Sequence, residues 1–386
     1  MTNPPYEVFT SPSSLLVTEN IWYNFYRMKR FFKNLFSLLI LAALLYGVWY
    51  FFHDWTIRQV RKVQGTYYIY KGDQAYSQDD MAKTLNYYKK GLSLYPGHYE
   101  AWYNLGNIYA VYEDYFSAVD AYKHAIEHNP KFVMAKMNLG IVYSEDLGFF
   151  DEAIEQFNEI PKIGLLKLWI PFVYSNVKSI RGNKGIAYFN KGVAYKQKAM
   201  FLPLDRKYLM REYLGNAIEA YTQALKYLKK NYDVYYNRAV AYHLNGDYKL
   251  AGKDYCKAIE LQPTKFEAHY NLAVLLRGMS RYRESMSELE KAAILITETP
   301  SSSEIETAYI FNLLNEVSRK FINSDEYGVS KLTDKPTGSV SYTYVNGRIV
   351  ADDDFDKAML KNFKTCVGYD IFNKKEELNY TEDGWF

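Results

Sequence analysis

Four segments of this chain can be laid over one another residue for residue: AWYNLGNIYA from Ala101, AYFNKGVAYK from Ala187, VYYNRAVAYH from Val234 and AHYNLAVLLR from Ala268. Aromatic residues, an asparagine and small residues recur in one register. A recurring unit constrains the fold more than composition does, because each copy must fold alike and can bury its apolar face only by stacking on its neighbours. The clearest copy runs from Tyr99 to Phe132 and carries Trp102, Leu105, Gly106, Tyr109, Ala118, Tyr122, Ala125 and Pro130. Gly106 and Ala118 are small where two antiparallel helices would cross closely, the large residues fill the space beside them, and Pro130 stops the second helix.

At every one of these positions the unit resembles the tetratricopeptide repeat, a helix-turn-helix motif of about 34 residues. The unit from Tyr232 to Lys265 matches nearly as well, with Tyr235, Ala239, Tyr242, Ala251, Tyr255, Ala258 and Pro263. A degenerate first copy, Gly65 to His98, keeps Tyr68, Gly72, Tyr88, Gly91 and Pro96 but has Thr84 in place of the usual alanine. From Val133 the unit keeps Leu139, Gly140, Tyr143, Ala153 and Phe157; one extra residue separates its helices, and the early Pro161 predicts a short second helix. From Gly185 it keeps Tyr188, Gly192, Tyr195, Ala217, Tyr221 and Ala224. Roughly 13 extra residues including Pro203 divide its halves, which predicts either a loop or a lengthened helix pair. The last copy, from Phe266, keeps Leu272, Ala273 and Ala292, with Thr297 where the proline belongs, and a helical pattern over 303–322 would cap the array. The expected fold is therefore all-α: a superhelical solenoid over residues 65–299, with repeats beginning near 65, 99, 133, 185, 232 and 266. Residues 162–184, with the apolar core LLKLWIPFVY, read as an added helix or strap.

Leu35 to Phe52 holds no charged residue and would span roughly 27 Å as a helix, close to the thickness of a bilayer's hydrocarbon. Trp22, Tyr23, Tyr26, Phe31 and Phe32 before it and Trp49, Tyr50 and Trp55 at its far end suit headgroup level. No small-residue cleavage site follows, so the segment reads as an uncleaved anchor. Arg27, Lys29, Arg30 and Lys33 outnumber Arg58, Arg61 and Lys62, which favours a cytoplasmic segment at 1–34, a juxtamembrane linker at 53–64 and an exported array. This places the chain in a bacterial inner membrane with its repeats in the periplasm. Residues 328–386 form a separate tail: a linker, the run SVSYTYVNGRIVAD with a hairpin signal at Asn346-Gly347, and a short helical pattern over 355–365. Cys256 and Cys366 match no metal or redox spacing; a disulfide between them would suit an exported location.

A net charge of +3 gives no sign of a nucleic-acid partner. His124, Glu127 and His128 have the spacing of an inverted zinc-protease motif, but they sit among Tyr122, Ala125 and Pro130, which the repeat itself requires. Asp352, Asp353, Asp354 and Asp356 lack the glycine and distal glutamate of a calcium loop. The sequence thus calls for no cofactor, no metal and no enzymatic activity. What the resemblance implies is a peptide groove lined by the first helix of each unit. The fifth positions are Ile69, Tyr103, Met137, Phe189, Tyr236 and Tyr270; the ninth are Asp73, Asn107, Ile141, Val193, Val240 and Val274. The candidate binding residues are Ile69, Tyr103, Asn107, Met137, Phe189, Val193, Tyr236, Val240, Tyr270 and Val274. Relatives that clamp the carboxylate tails of chaperones need lysines at groove positions, whereas Ile69, Tyr103 and Met137 are uncharged and Asp73 has the opposite sign. Asn104, Asn138, Asn190, Asn237 and Asn271 recur at the sixth position, with Tyr70 in the first unit, as a structural feature would. The expected function is a membrane-anchored scaffold that holds protein partners in an envelope assembly serving secretion, envelope biogenesis or a flagellar motor. A cytosol-facing receptor on an organelle or plasma membrane is the alternative; a metal-dependent enzyme using His124, Glu127 and His128 is the second.

Overall fold

The computed structural model describes residues 13–162, 173–297, 304–322, 342–345, 348–351 and 366. It divides into two compact units, residues 1–101 and 102–386. In the first, helix α1 (Ser13–Ser77) is followed by α2 (Met81–Leu94). Residues 53–64, read from sequence as a linker, are helix instead: no proline interrupts them, and α1 runs from the apolar segment into the first helix of the first repeat. The side chains of the apolar segment are exposed, and α1 is long and apolar enough to cross a membrane. The two helices cross on a glycine pair. A Cβ added to Gly65 would lie 2.6 Å from Tyr95 Cβ, and one on Gly91 would lie 2.7 Å from Ile69 Cγ1, so no larger residue fits this crossing.

The second unit is a solenoid of antiparallel helix pairs. Its helices are α3 (Tyr99–Val111, entering the unit at Trp102), α4 (Tyr115–His128), α5 (Val133–Ile141), α6 (Phe150–Glu159), α7 (Val173–Met200) and α8 (Lys207–Tyr227). There follow α9 (Tyr232–Asn245), α10 (Tyr248–Leu261), α11 (Phe266–Gly278), α12 (Tyr282–Thr297) and the capping helix α13 (Glu304–Ile322). One rule packs each pair. The eighth residue of the repeat, on its first helix, is small because a large side chain from the second helix lies across it. A Cβ on Gly106 would come within 2.6 Å of the Tyr122 ring, on Gly140 within 2.5 Å of Phe157 and on Gly192 within 2.6 Å of Tyr221. Tyr122, Phe157, Tyr221 and Tyr255 are nearly inaccessible to solvent. Burial of side chains this size contributes about 1.5–3 kcal/mol each.

The turns between paired helices share a left-handed residue at one position: Glu113 (φ 59°), Gly148 (φ 69°), Gly246 (φ 90°) and Ser280 (φ 56°), with Asp79 (φ 59°) at the same place in the first unit. Asp80 and Asp114 then cap the second helices, each accepting a hydrogen bond from a backbone N–H, of Lys83 and Ser117 respectively. In the third repeat the extra residue is absorbed as a π-helical turn, Val142–Asp146, and the second helix is short, as Pro161 predicts. In the fourth repeat the insertion lengthens both helices, leaving Pro203 and a 3₁₀ turn at their tip. Residues 163–172 of the expected strap lie outside the described residues; Lys162 ends a 3₁₀ turn, and residues 173–184 belong to α7.

At the far end Ile310, Leu314, Val317 and Phe321, one stripe of α13, close the core over Met286, Leu289, Ala293 and Ile296 of α12. The predicted hairpin is present: β1 (Tyr342–Val345) pairs antiparallel with β2 (Arg348–Ala351) around Asn346 and Gly347, and it lies against α12 and α13. Cys366 is disulfide-bonded to Cys256 of α10, with 5.4 Å between their Cα atoms. The helical pattern at 355–365 and the acidic run Asp352 to Asp356 lie outside the described residues.

Candidate peptide groove

In the second unit the candidate residues occupy one face of the first helices. A side chain at the fifth position and one at the ninth stand a turn apart, and the aromatic at the fifth is half-buried against its neighbours. Tyr103 meets Phe132 edge-on at 5.2 Å, Phe189 packs on Tyr221 at 5.9 Å, and Tyr236 stacks on Tyr232 at 5.7 Å. Met137 is buried. Ile69, in the first unit, is also buried, wedged against Gly91 in the α1 and α2 crossing, and so is a packing residue there.

The recurring asparagine has a clear task. Its amide reaches back to the fifth-position residue of the preceding repeat. Asn138 Nδ2 donates to Tyr103 OH (3.3 Å), Asn190 Nδ2 to Met137 Sδ (3.3 Å) and Asn271 Nδ2 to Tyr236 OH (2.7 Å). Asn138 also donates to Asn107 Oδ1 at 2.8 Å, which in turn accepts from Tyr122 OH at 2.8 Å. Repeats are thus fastened by the asparagine amide to a hydroxyl, a thioether or a second amide along the groove floor. Burial pushes the Tyr122 and Tyr236 hydroxyls up to about 12, so both stay protonated.

Asn237 breaks the pattern because the fifth-position residue before it is Phe189, which has no hydroxyl. Its Oδ1 instead accepts from Lys196 Nζ at 2.6 Å, while its Nδ2 donates to Asp233 O. Lys196 follows Phe189 and Val193 on the groove face of α7, and burial pulls its ammonium down to about 8. A turn further along the array the groove opens into a cavity of about 450 Å³, bounded by Met200, Val240, Tyr270, Val274, Leu313 and others. Its polar rim includes Asn271, His243 and an ion pair, Arg277 Nη1 to Glu316 at 3.1 Å. Burial holds the His243 imidazole neutral by lowering its pKa to about 4. The candidates Val240, Tyr270 and Val274 thus share one hollow, while Tyr103, Asn107, Met137, Phe189, Val193 and Tyr236 line the more closely fastened stretch before it.

His124 stacks on Trp102 at 4.5 Å and lies 3.3 Å from Glu127. Among the described residues no group of three or more His, Cys, Asp or Glu side chains is placed to hold a metal ion. Sequence reasoning missed Lys196, His243, Arg277, Tyr309 and Glu316. Lys196 was findable, since it continues the Phe189 and Val193 face at helical spacing; the others stand outside the repeat's signature positions.

The tetratricopeptide repeat profile matches residues 99–132 and 232–265. A TPR repeat-containing protein of Methanocaldococcus jannaschii is 24% identical over 72% of this chain and 47% of its own length. The peroxisomal targeting signal receptor of Eremothecium gossypii is 24% identical over 60% of this chain and 41% of its own. The chain thus spans less than half the length of these two relatives. Among solved structures, MamA from Desulfovibrio magneticus is similar at 18% identity over 52% of this chain and 96% of that one, TM-score 0.40. A thermophilic TPR protein of Thermus thermophilus is similar at 17% identity over 58% of this chain and 99% of that one, TM-score 0.39.

Proposed function

We propose that this chain of tetratricopeptide repeats is a membrane-anchored scaffold that holds a peptide segment of a protein partner in the hollow formed by α9, α11 and α13. The observation that carries the reading is the cavity of about 450 Å³ itself: an apolar and aromatic floor with a few polar groups on its rim is the form of a recognition site. Tyr270, Val240 and Val274 give contact area at small entropic cost. Repeat proteins of this kind mediate protein-protein interactions, and two of its sequence relatives are named as a TPR repeat-containing protein and a targeting signal receptor.

The anchor is Leu35 to Phe52 in α1, and the site of action is a bacterial inner membrane with the array in the periplasm, in service of an envelope assembly. The Cys256–Cys366 bond supports that side, since disulfides persist in oxidising compartments. The likeness to peroxisomal targeting signal receptors favours the second reading, an array facing the cytosol. Proximity labelling from the C-terminus separates them, because it reports neighbours and side together. Envelope proteins recovered with the wild type, and lost with the double substitution Val240→Asp and Val274→Asp, support the scaffold. An identical set recovered with both proteins refutes the groove.

A further inference from the structure

Lys196 is a groove-facing cation whose hydrogen-bond partner among the described residues is a neutral amide, that of Asn237. Other lysines of the array meet carboxylates: Lys198 contacts Asp151 at 2.5 Å, Lys257 contacts Glu260 at 2.7 Å and Lys291 contacts Glu288 at 2.6 Å. Burial alone displaces the Lys196 ammonium, with no acidic side chain acting against it. Burying a charge is costly unless it is paired, so a cation held here needs a counter-charge from elsewhere.

The surroundings say what could bring it. Lys196 spends one N–H on Asn237 Oδ1 and keeps two more donors. Met200, one turn beyond Lys196 on α7, and Val240, three residues beyond Asn237 on α9, both line the adjoining hollow. The charge and the apolar hollow are therefore separated by about one helical turn, roughly 5.4 Å. In an extended peptide, side chains two residues apart on one face lie roughly 6.6 Å apart. Beneath α7 a second irregularity lies in the same stretch. Tyr221, fully buried beneath Gly192 and beside Phe189, has a hydroxyl without a hydrogen-bond partner among the described residues, because the ninth-position residue of its repeat is Val193 where Tyr122 has Asn107. At this junction the bond between repeats is made by Lys196 to Asn237 and not by a fifth-position residue.

We propose that Lys196, positioned by Asn237, receives a carboxylate side chain of the partner peptide, while a large apolar residue about two positions away enters the hollow lined by Met200, Val240 and Val274. The proposal rests on the groove reading above and adds the chemistry of its ligand: an acidic residue paired with an apolar anchor in an extended segment. Lys196 stands at the twelfth position of its repeat, outside the fifth and ninth, where the neighbouring repeats carry Ser144 and His243.

The test is to pan a random short-peptide display library against the full chain in lipid nanodiscs, with the wild type, Lys196→Met and Val274→Asp in parallel. Methionine keeps the apolar stem of Lys196 and removes its charge and its bond to Asn237, and retained apolar enrichment reports that the variant is folded. The expected result is enrichment of acidic-x-apolar sequences on the wild type, loss of the acidic preference with the apolar one retained on Lys196→Met, and loss of enrichment on Val274→Asp. For the best peptide, Lys196→Met and an Asp→Asn change in the peptide should each weaken binding about tenfold, with no further loss when combined. Enrichment without acidic residues, or an acidic preference that survives Lys196→Met, overturns this inference and leaves the groove standing. No enrichment on the wild type, or enrichment indifferent to Val274→Asp, overturns the groove and the inference with it.

Discussion

Replacing Tyr221 by phenylalanine should make the protein more stable, and the same change at Tyr122 should make it less so. The two tyrosines hold equivalent places, each lying across the eighth-position glycine of its own repeat. Tyr122 OH donates to Asn107 Oδ1 at 2.8 Å, whereas Tyr221 OH is buried without a partner. An unpaired buried hydroxyl costs about 1–3 kcal/mol, so its removal should return about 1–2 kcal/mol. At Tyr122 the change deletes a satisfied bond worth about 0.5–1.5 kcal/mol, softened because Asn138 still donates to Asn107. In urea unfolding of the full chain in mild detergent, followed by far-UV circular dichroism, a slope of about 2 kcal/mol per molar converts 1.5 kcal/mol into a midpoint shift of about 0.75 M. The midpoints should move in opposite directions. A Tyr221→Phe midpoint that falls as far as that of Tyr122→Phe would refute the reasoning, since it would mean that the hydroxyl is paired and that Val193 does not orphan it.

Glu113→Gly should stabilise by about 1 kcal/mol, because a left-handed residue with a side chain carries strain that glycine does not; loss of stability in thermal unfolding would contradict this. Gly140→Ala should cost about 1–3 kcal/mol, since its Cβ would sit 2.5 Å from the Phe157 ring, whereas Gly215→Ala, with open space around it within α8, should gain about 0.5–1 kcal/mol. His243 is buried with its pKa lowered to about 4. Below an unfolded-state value of about 6.5 the unfolded chain takes up the proton and the folded one does not, so its contribution is intact above that pH and lost as pH falls toward about 4. Between pH 7 and pH 5 the loss should be about 2 kcal/mol, and urea titrations at the two values should show His243→Gln free of that share.

The helix pairs were legible because their marks are local. Gly106, Ala118 and Tyr122 announce a close crossing, Pro130 and Pro263 end second helices, and Asn346-Gly347 announces a hairpin. The left-handed turn residue was only partly legible: Gly148, Gly246 and Asp79 are types that tolerate a positive φ, whereas the helix-turn-helix geometry imposes it on Glu113 and Ser280. The asparagine at the sixth position was legible as structural, but its partner was not: the bond is made to another repeat, and sequence spacing within one repeat cannot show it. The lengthened fourth repeat had two readings, and the structure realises the longer helix pair. Of the groove residues, Val240, Tyr270 and Val274 fall where the repeat pattern indicates, while Lys196 holds the twelfth position, shared with His243 and Arg277, which the repeat signature leaves open.

A break at residues 53–64 would have let the repeats swivel freely about the apolar segment. The unbroken α1 does the reverse and makes a keyed shaft of it. Each residue added or removed between Phe52 and Gly65 would turn the first repeat by about 100° and raise or lower it by about 1.5 Å. Seven added residues, close to two full turns, would restore the heading at a greater height, and two or five would point it elsewhere. The length of this stretch therefore sets an angle as well as a distance, and a twist applied at one end arrives at the other.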